Sequence, residues 1–207
     1  RDLRAVVNYY IKDIEIQPVG FKYPFGRRKY VVSTFYPPKI VLSESELISV
    51  LKFNDFITPA QEYARDVWVA LYLLNGSNFS DLLRLKWTDI TGGVITFTRK
   101  KTETTRKSNI KPIVVDYDTR LRSIFKKIGD KDSVYLLGKM SELYSETTFE
   151  NKCTKLKKLY NKENKYITEK LNLSVPLTLQ TARDTFATML FFKGVPVRTI
   201  SELLGHS

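Results

Sequence analysis

Apolar residues recur at helical spacing at Leu3, Val6, Val7, Tyr10 and Ile14, which predicts an amphipathic helix over residues 2–16. The next stretch, residues 17–39, carries Pro18, Gly20, Pro24, Gly26, Pro37 and Pro38 and reads as a linker. Nothing in the linker offers the first helix a partner, so it is expected to be the last helix of a preceding, truncated domain. A second domain is expected over residues 40–207. Ser43-x-x-Glu46 is a capping box, with Leu47, Val50 and Leu51 as the apolar stripe behind it. Thr58-Pro59-x-Gln61 combines an N-cap, a proline at the first helical position and a glutamine at the third, and opens a helix that runs to about Leu74 and stops at Asn75-Gly76. Ser80 caps a short helix from Asp81 to Trp87.

Alternation then predicts strands from Val94 to Thr98 and from Ile110 to Val115, joined by a polar turn. Residues 118–128 read as a helix, and residues 134–137 as a short strand or extended segment. Thr147-x-x-Glu150 caps a helix with Phe149, Cys153, Leu156 and Tyr160 on one face and Lys152, Lys155, Lys157, Lys158 and Lys162 on the other; a loop follows it. Two helices close the chain. Leu179, Phe186 and Leu190 stripe the first, which ends at Gly194; Pro196 starts the second, with Val197, Ile200, Leu203 and Leu204 on its buried face. The fold class expected is mainly α with one small antiparallel β-sheet.

With 207 residues, 43% of them hydrophobic, the chain has the means to bury a core. No window holds the 18 or more apolar residues of a membrane helix, and no charged-then-apolar leader opens it. The single cysteine, Cys153, excludes an internal disulfide and suits a reducing compartment; one cysteine and one histidine argue against a protein-only zinc site. The net charge of +12 points to a partner bearing phosphates, since each cation near a nucleic acid backbone releases counterions. A solvated basic surface is the plain alternative. Arg27, Arg28 and Lys29 in the linker are candidates to track such a backbone. A basic protein binding RNA or acidic partners is disfavoured, because no strand carries the stacked aromatics of an RNA-recognition motif.

One position breaks the apolar stripe of the penultimate helix. Arg183 falls in line with Leu179 and Phe186, and a buried guanidinium needs an anion. That anion is either a structural carboxylate such as Asp66 or Asp81, which geometry alone favours slightly, or an external phosphate gripped bidentately. His206 follows Gly205 directly and is held just past a helix end; a surface histidine is the bland reading.

Gln180-x-x-Arg183-x-Thr185-Phe186-Ala187-Thr188, then Gly194-Val195-Pro196, then Leu203-Leu204-Gly205-His206-Ser207, resembles the C-terminal signature of the tyrosine recombinases, the phage integrase family. Upstream, Tyr63 to Asp66 and Asn75-Gly76-Ser77-Asn78 through Trp87-x-Asp89-Ile90 resemble the family's first catalytic box, and Ile95 through Lys101-Thr102, then Ile113, its β-hairpin lysine region. The resemblance covers roughly residues 40–207 and is nearest in flavour to integrases of Bacteroidetes mobile elements. It identifies residues 2–16 as the end of an N-terminal core-binding domain and residues 40–207 as a catalytic domain.

The resemblance implies a site-specific recombinase that needs no cofactor and no metal. A tyrosine hydroxyl attacks a phosphodiester of double-stranded DNA, giving a 3′-phosphotyrosine link and a free 5′-hydroxyl. Arg183 matches the second catalytic arginine, Lys101 the hairpin lysine acting as general acid, and His206 the late residue that hydrogen-bonds the scissile phosphate. Arg99, Lys100, Arg106 and Lys107 are the DNA-binding candidates of the hairpin. The resemblance further implies a tetramer on DNA for the full-length protein, in the bacterial cytoplasm at the nucleoid, with the 207-residue chain by itself monomeric.

Three departures stand out. Asn78 occupies the position of the family's usual first arginine and supplies no cation. Gln180 replaces the usual histidine and cannot carry a proton. The nucleophilic tyrosine is expected beyond His206, so these residues by themselves are expected not to cleave. Arg84, Arg65 and Arg106 are the candidates to replace the missing arginine. The alternative is a degenerate member of the same fold that binds DNA without cutting it.

Overall fold

The computed structural model describes residues 2–12, 20–25, 41–100 and 111–205. It divides into two compact units, residues 1–38 and 39–207. In the first, helix α1 spans Asp2–Lys12, with Leu3, Val6 and Tyr10 exposed, and the Tyr23 hydroxyl donates to Asn8 Oδ1 at 2.5 Å.

The second unit is built around one helix. Helix α3, Pro59–Leu73, is apolar on nearly all sides, as a helix enclosed by others must be. Ala64, Val67, Trp68, Ala70 and Leu71 are fully shielded from solvent. Around it pack α5 (Thr119–Ile128), α6 (Glu146–Lys170) and α7 (Leu179–Phe192). Trp68 ties α3 to the start of α7: its indole N–H donates to the Thr178 carbonyl at 2.9 Å. The remaining helices among the described residues of this unit include α2 (Glu44–Lys52), α4 (Phe79–Arg84) and α8 (Val197–Leu203). Strands β1 (Ile90–Thr91), β2 (Val94–Phe97) and β3 (Ile113–Asp116) form an antiparallel meander in the order β1-β2-β3, with Ile95 opposite both Ile90 and Val115. The mainly helical architecture with one small antiparallel sheet matches the sequence-based expectation.

Both capping boxes form. Thr58 caps α3 with Gln61 reaching back and Pro59 in the first turn, and Ser43 caps α2 with Glu46. Glu46 does more than close a cap. One carboxylate oxygen accepts from the Ser43 N–H at 2.7 Å, and the other from the Ser174 N–H at 2.6 Å, 128 residues away. It thereby fastens α2 to the loop that feeds α7.

Several boundaries differ from those expected. The short helix begins after Asn78, not Ser80, and ends at Arg84; Trp87–Asp89 is a separate 3-10 turn, because Leu85 leaves the helix in an extended conformation (ψ 131°). Residues 134–137 are a bend and turn rather than a strand, with a single bridge, Tyr135 to Lys86. Helix α6 is capped by Ser145, whose hydroxyl accepts from the Thr148 N–H, not by Thr147. It also continues to Lys170 where a loop was expected. Asn164 and Ile167 extend its buried face, and the Asn164 amide donates to the Ala64 carbonyl at 3.5 Å. In α8, Ile200 and Leu204 are buried but Val197 is exposed, since it lies in the first turn, ahead of the stretch packed on the rest of the unit.

Two predictions arise from these contacts. The two N–H groups hold the Glu46 carboxyl well below its usual 4.5, at about 2, with the Ser174 N–H the largest cause. A depressed folded-state value adds stability above pH 4.5 that is lost as pH falls toward 2. E46Q should therefore lower stability at pH 7 by about 1 kcal/mol, discounted for its solvent exposure, and the gap to wild type should close as thermal unfolding is followed down to pH 2.5. Gly76 has φ +62°, and a Cβ there would lie 3.1 Å from both Arg183 Cα and Phe186 Cβ. G76A should cost about 1–3 kcal/mol in chemical denaturation, combining left-handed strain with displacement of α7.

Candidate functional site

The Asn75–Gly76 turn ends the α3 segment with two successive left-handed residues, φ 54° and 62°. The chain reverses there and delivers Asn78 to the N-cap of α4. Because Gly76 has no side chain, α7 lies directly against this turn, and Arg183 faces it from the buried side of that helix. The Arg183 guanidinium donates through Nη1 to the Gly76 carbonyl at 2.7 Å and through Nη2 to the Leu204 carbonyl at 2.9 Å. One side chain thus joins the turn, helix α7 and the end of α8.

Beside it lies a second buried arginine. Residues Ile95, Phe97 and Arg99 share one face of β2 and its extension, since side chains alternate along a strand. That face turns inward, leaving Arg99 only 7% exposed. Its Nη1 donates to the Leu204 and Gly205 carbonyls at 3.3 and 3.2 Å, and its Nε lies 3.7 Å from Asp81 Oδ2. Gly205 permits this packing: at φ +68°, a Cβ would lie 2.6 Å from Arg99 Cδ.

Asp81, on α4, is the carboxylate of the site. It accepts from the Asn78 amide at 3.3 Å and from the Lys100 N–H at 3.4 Å. Burial raises its pKa, while the Lys100 N–H and Arg99 pull it down. Burial, with Arg99 next, pushes Arg183 down to about 10, so it remains a cation at neutral pH.

These groups line a cleft of about 320 Å³ that includes Asn78, Asp81, Arg99, Lys157, Gln180 and Arg183. Gln180 is exposed at its mouth, and its amide donates to Asp184 at 3.3 Å. Cys153 also lines the cleft, with its thiol pushed up by burial and therefore neutral. The arrangement presents two guanidiniums and a lysine against one buried carboxylate, with two amides at the rim. Such a surface suits a tetrahedral oxyanion.

Of the residues singled out from sequence, the structure brings Arg183, Gln180, Asn78 and Arg99 to this one cleft. Lys100 contributes its backbone N–H there, while its side chain lines a neighbouring cleft with Arg84 and Lys86. Lys101, Arg106, Lys107, His206, Arg27, Arg28 and Lys29 lie outside the described residues. Asp66, one suggested partner for Arg183, pairs instead with Arg65 at 2.8 Å. From sequence, Lys157 reads as part of a basic helix face and Arg99 as one of the hairpin's DNA-binding candidates. The period-2 alternation through Ile95 and Phe97 marks Arg99 as inward-facing and could have separated it from its neighbours.

The model of the phage integrase family matches residues 41–207. Comparison with curated protein sequences gives no match. Among solved structures, the chain is similar to a Tn1549 transposon integrase in complex with a circular intermediate DNA, with a TM-score of 0.64 and 17% identity over 100% of this chain and 69% of that one. It is similar to the XerA recombinase, with a TM-score of 0.53 and 17% identity over 99% of this chain and 65% of that one. A lambda integrase tetramer bound to a Holliday junction gives a TM-score of 0.56 and 16% identity, over 99% and 56%. At these identities the likeness is one of fold, and the chain spans about two thirds or less of the XerA and lambda integrase chains. With the family model matched over the whole helical unit that holds the cleft, the chain belongs to the phage integrase family.

Proposed function

We propose that this chain is the greater part of the catalytic domain of a site-specific DNA recombinase that cuts and rejoins strands through a 3′-phosphotyrosine intermediate. The observation that carries the reading is Arg183: a buried cation, locked by two main-chain carbonyls and facing a polar cleft. A guanidinium held this way costs no reorganisation when charge develops on a phosphate, which is how pre-set donors lower a barrier.

In this reading a tyrosine beyond Ser207 loses its proton to water as its oxygen bonds to phosphorus. The bond from phosphorus to the 5′-oxygen breaks, and Lys101 protonates the leaving oxygen. Arg183 and His206 stabilise the pentacoordinate phosphorus, and Gln180 donates a hydrogen bond where it cannot move a proton. Attack by the 5′-hydroxyl of a second strand reverses the chemistry and regenerates the tyrosine. The residues just before Lys101 and His206 are both fastened at the cleft, through the Lys100 N–H on Asp81 and the Gly205 carbonyl under Arg99, which supports those two assignments.

The partner is double-stranded DNA, with the exposed lysines of α6, including Lys155, Lys158 and Lys162, and the hairpin residues Arg106 and Lys107 as backbone contacts. In this reading Arg27, Arg28 and Lys29 are further backbone contacts, α1 belongs to a core-binding domain, and the full-length protein works as a tetramer on DNA in the bacterial cytoplasm. A second reading, a DNA-binding member of the fold without catalysis, is favoured by Asn78, whose amide serves Asp81 and offers no charge.

Full-length protein incubated with a nicked duplex of its cognate crossover site should form a covalent adduct that survives denaturing electrophoresis. R183A should slow adduct formation by about 100-fold or more while keeping DNA affinity that falls steeply with salt. A wild-type protein that binds the site and never forms the adduct leaves the non-catalytic reading standing.

A further inference from the structure

We propose that Arg99 is the second guanidinium of the phosphate clamp, taking over from the strand side the task that Asn78 cannot perform. The inference rests on the recombinase reading and names a further catalytic residue for it.

Of the three arginines expected as replacements, Arg106 lies outside the described residues, and Arg65 and Arg84 are committed elsewhere. Arg65 donates to the Leu51 and Phe53 carbonyls at 3.2 and 2.9 Å and lines a different cavity with Asp66 and Lys127. Arg84 forms an ion pair with Glu146 and lies over the Phe149 ring at 3.6 Å, on the side of α4 that faces the neighbouring cleft. Arg99 lines the same cleft as Arg183, Asn78 and Gln180, and both guanidiniums reach the Leu204 carbonyl. Two like charges that share one acceptor in a buried site repel each other, and Arg99 is the second-largest cause of the lowered Arg183 pKa. Asp81 offsets one of the two charges. Asp184 also acts on Arg183, and a phosphodiester brought against the pair would relieve the repulsion further, its two non-bridging oxygens each facing one planar fork.

The substitution pattern also fits. Asn78 lies one turn of helix from Asp81 and donates to the carboxylate that Arg99 approaches from the other side. An arginine at position 78 would reach the cleft from α4; Arg99 reaches it from β2. Asp81 holds both positions and the Lys100 N–H together, so the clamp and the start of the hairpin are set by one carboxylate.

The test uses single-turnover adduct formation by the full-length protein on the nicked cognate duplex, with thermal stability and DNA affinity measured in parallel. R99A should cleave about 100-fold more slowly than wild type while binding DNA within a few-fold. R99A combined with N78R should recover at least about tenfold of that loss, because the cation returns from the usual side. On a duplex carrying a neutral methylphosphonate at the scissile position, R99A and wild type should react at comparable rates, since there is no charge left to neutralise. If R99A unfolds, R99Q carries the same comparison. Cleavage by R99A at the wild-type rate overturns the inference and leaves the recombinase reading intact. A loss that neither N78R nor the neutral phosphate relieves also overturns it, because Arg99 would then act only by propping the Gly205 turn. No adduct from wild type fails the recombinase reading and this inference together.

Discussion

A guanidinium is among the costliest groups to bury, and a protein that buries one must surround it with acceptors in fixed places. Arg183 satisfies that requirement with the carbonyls of Gly76 and Leu204, which come from segments 128 residues apart. Each hydrogen bond to a charged donor contributes about 1.5–3 kcal/mol, and losing either would strand charge in a low-dielectric site. The turn after α3, the face of α7 and the end of α8 are therefore held to one another by a single side chain. The geometry of the cleft and the local fold are the same interaction seen from two sides.

That constraint accounts for the glycines around it. Gly76 adopts φ +62° and lets α7 approach within van der Waals contact, while Gly205 at φ +68° lets the Arg99 stem lie across the turn before His206. Neither position tolerates a Cβ without moving an arginine. Asp81 completes the frame. Burial raises its pKa, and the Lys100 N–H, Arg99, the Asn78 amide and Arg183 around it pull the other way. The cluster remains net positive, which a folded protein maintains at a cost and which binding of an anion relieves.

Legibility in the sequence followed the range of the physics involved. The caps of α2 and α3 were visible because Ser43, Glu46, Thr58, Pro59 and Gln61 act within four residues of one another. The burial of Arg183 was visible because its phase matched Leu179. Its partners were not, since main-chain carbonyls at Gly76 and Leu204 carry no signature of residue type, and carboxylates were the natural candidates on charge alone. The length of α6 was hidden for a related reason: Asn164, fully buried, reads as polar and exposed until the Ala64 carbonyl beside it is known. Arg99 reads with Lys100 and Lys101 as a basic turn because adjacent charges look equivalent in one dimension, whereas the fold buries Arg99 and leaves Lys100 half-buried.

The departures at positions 78 and 180 differ in what they cost the chemistry. A cation is defined by where its charge lies, so one lost from α4 can be supplied from β2 without altering the reaction. A proton carrier is defined by its pKa, and no second histidine exists in the sequence to stand in for Gln180. In the proposed recombinase reading, Gln180 can hold an oxygen in place through its amide, while the tyrosine proton leaves by another route, to water. In that reading the charge function of the site is replaceable by geometry, while the proton passes to solvent. A site built this way should depend more on its arginines than on any base, which fits a cleft whose best-fixed groups are two guanidiniums anchored to the same carbonyl.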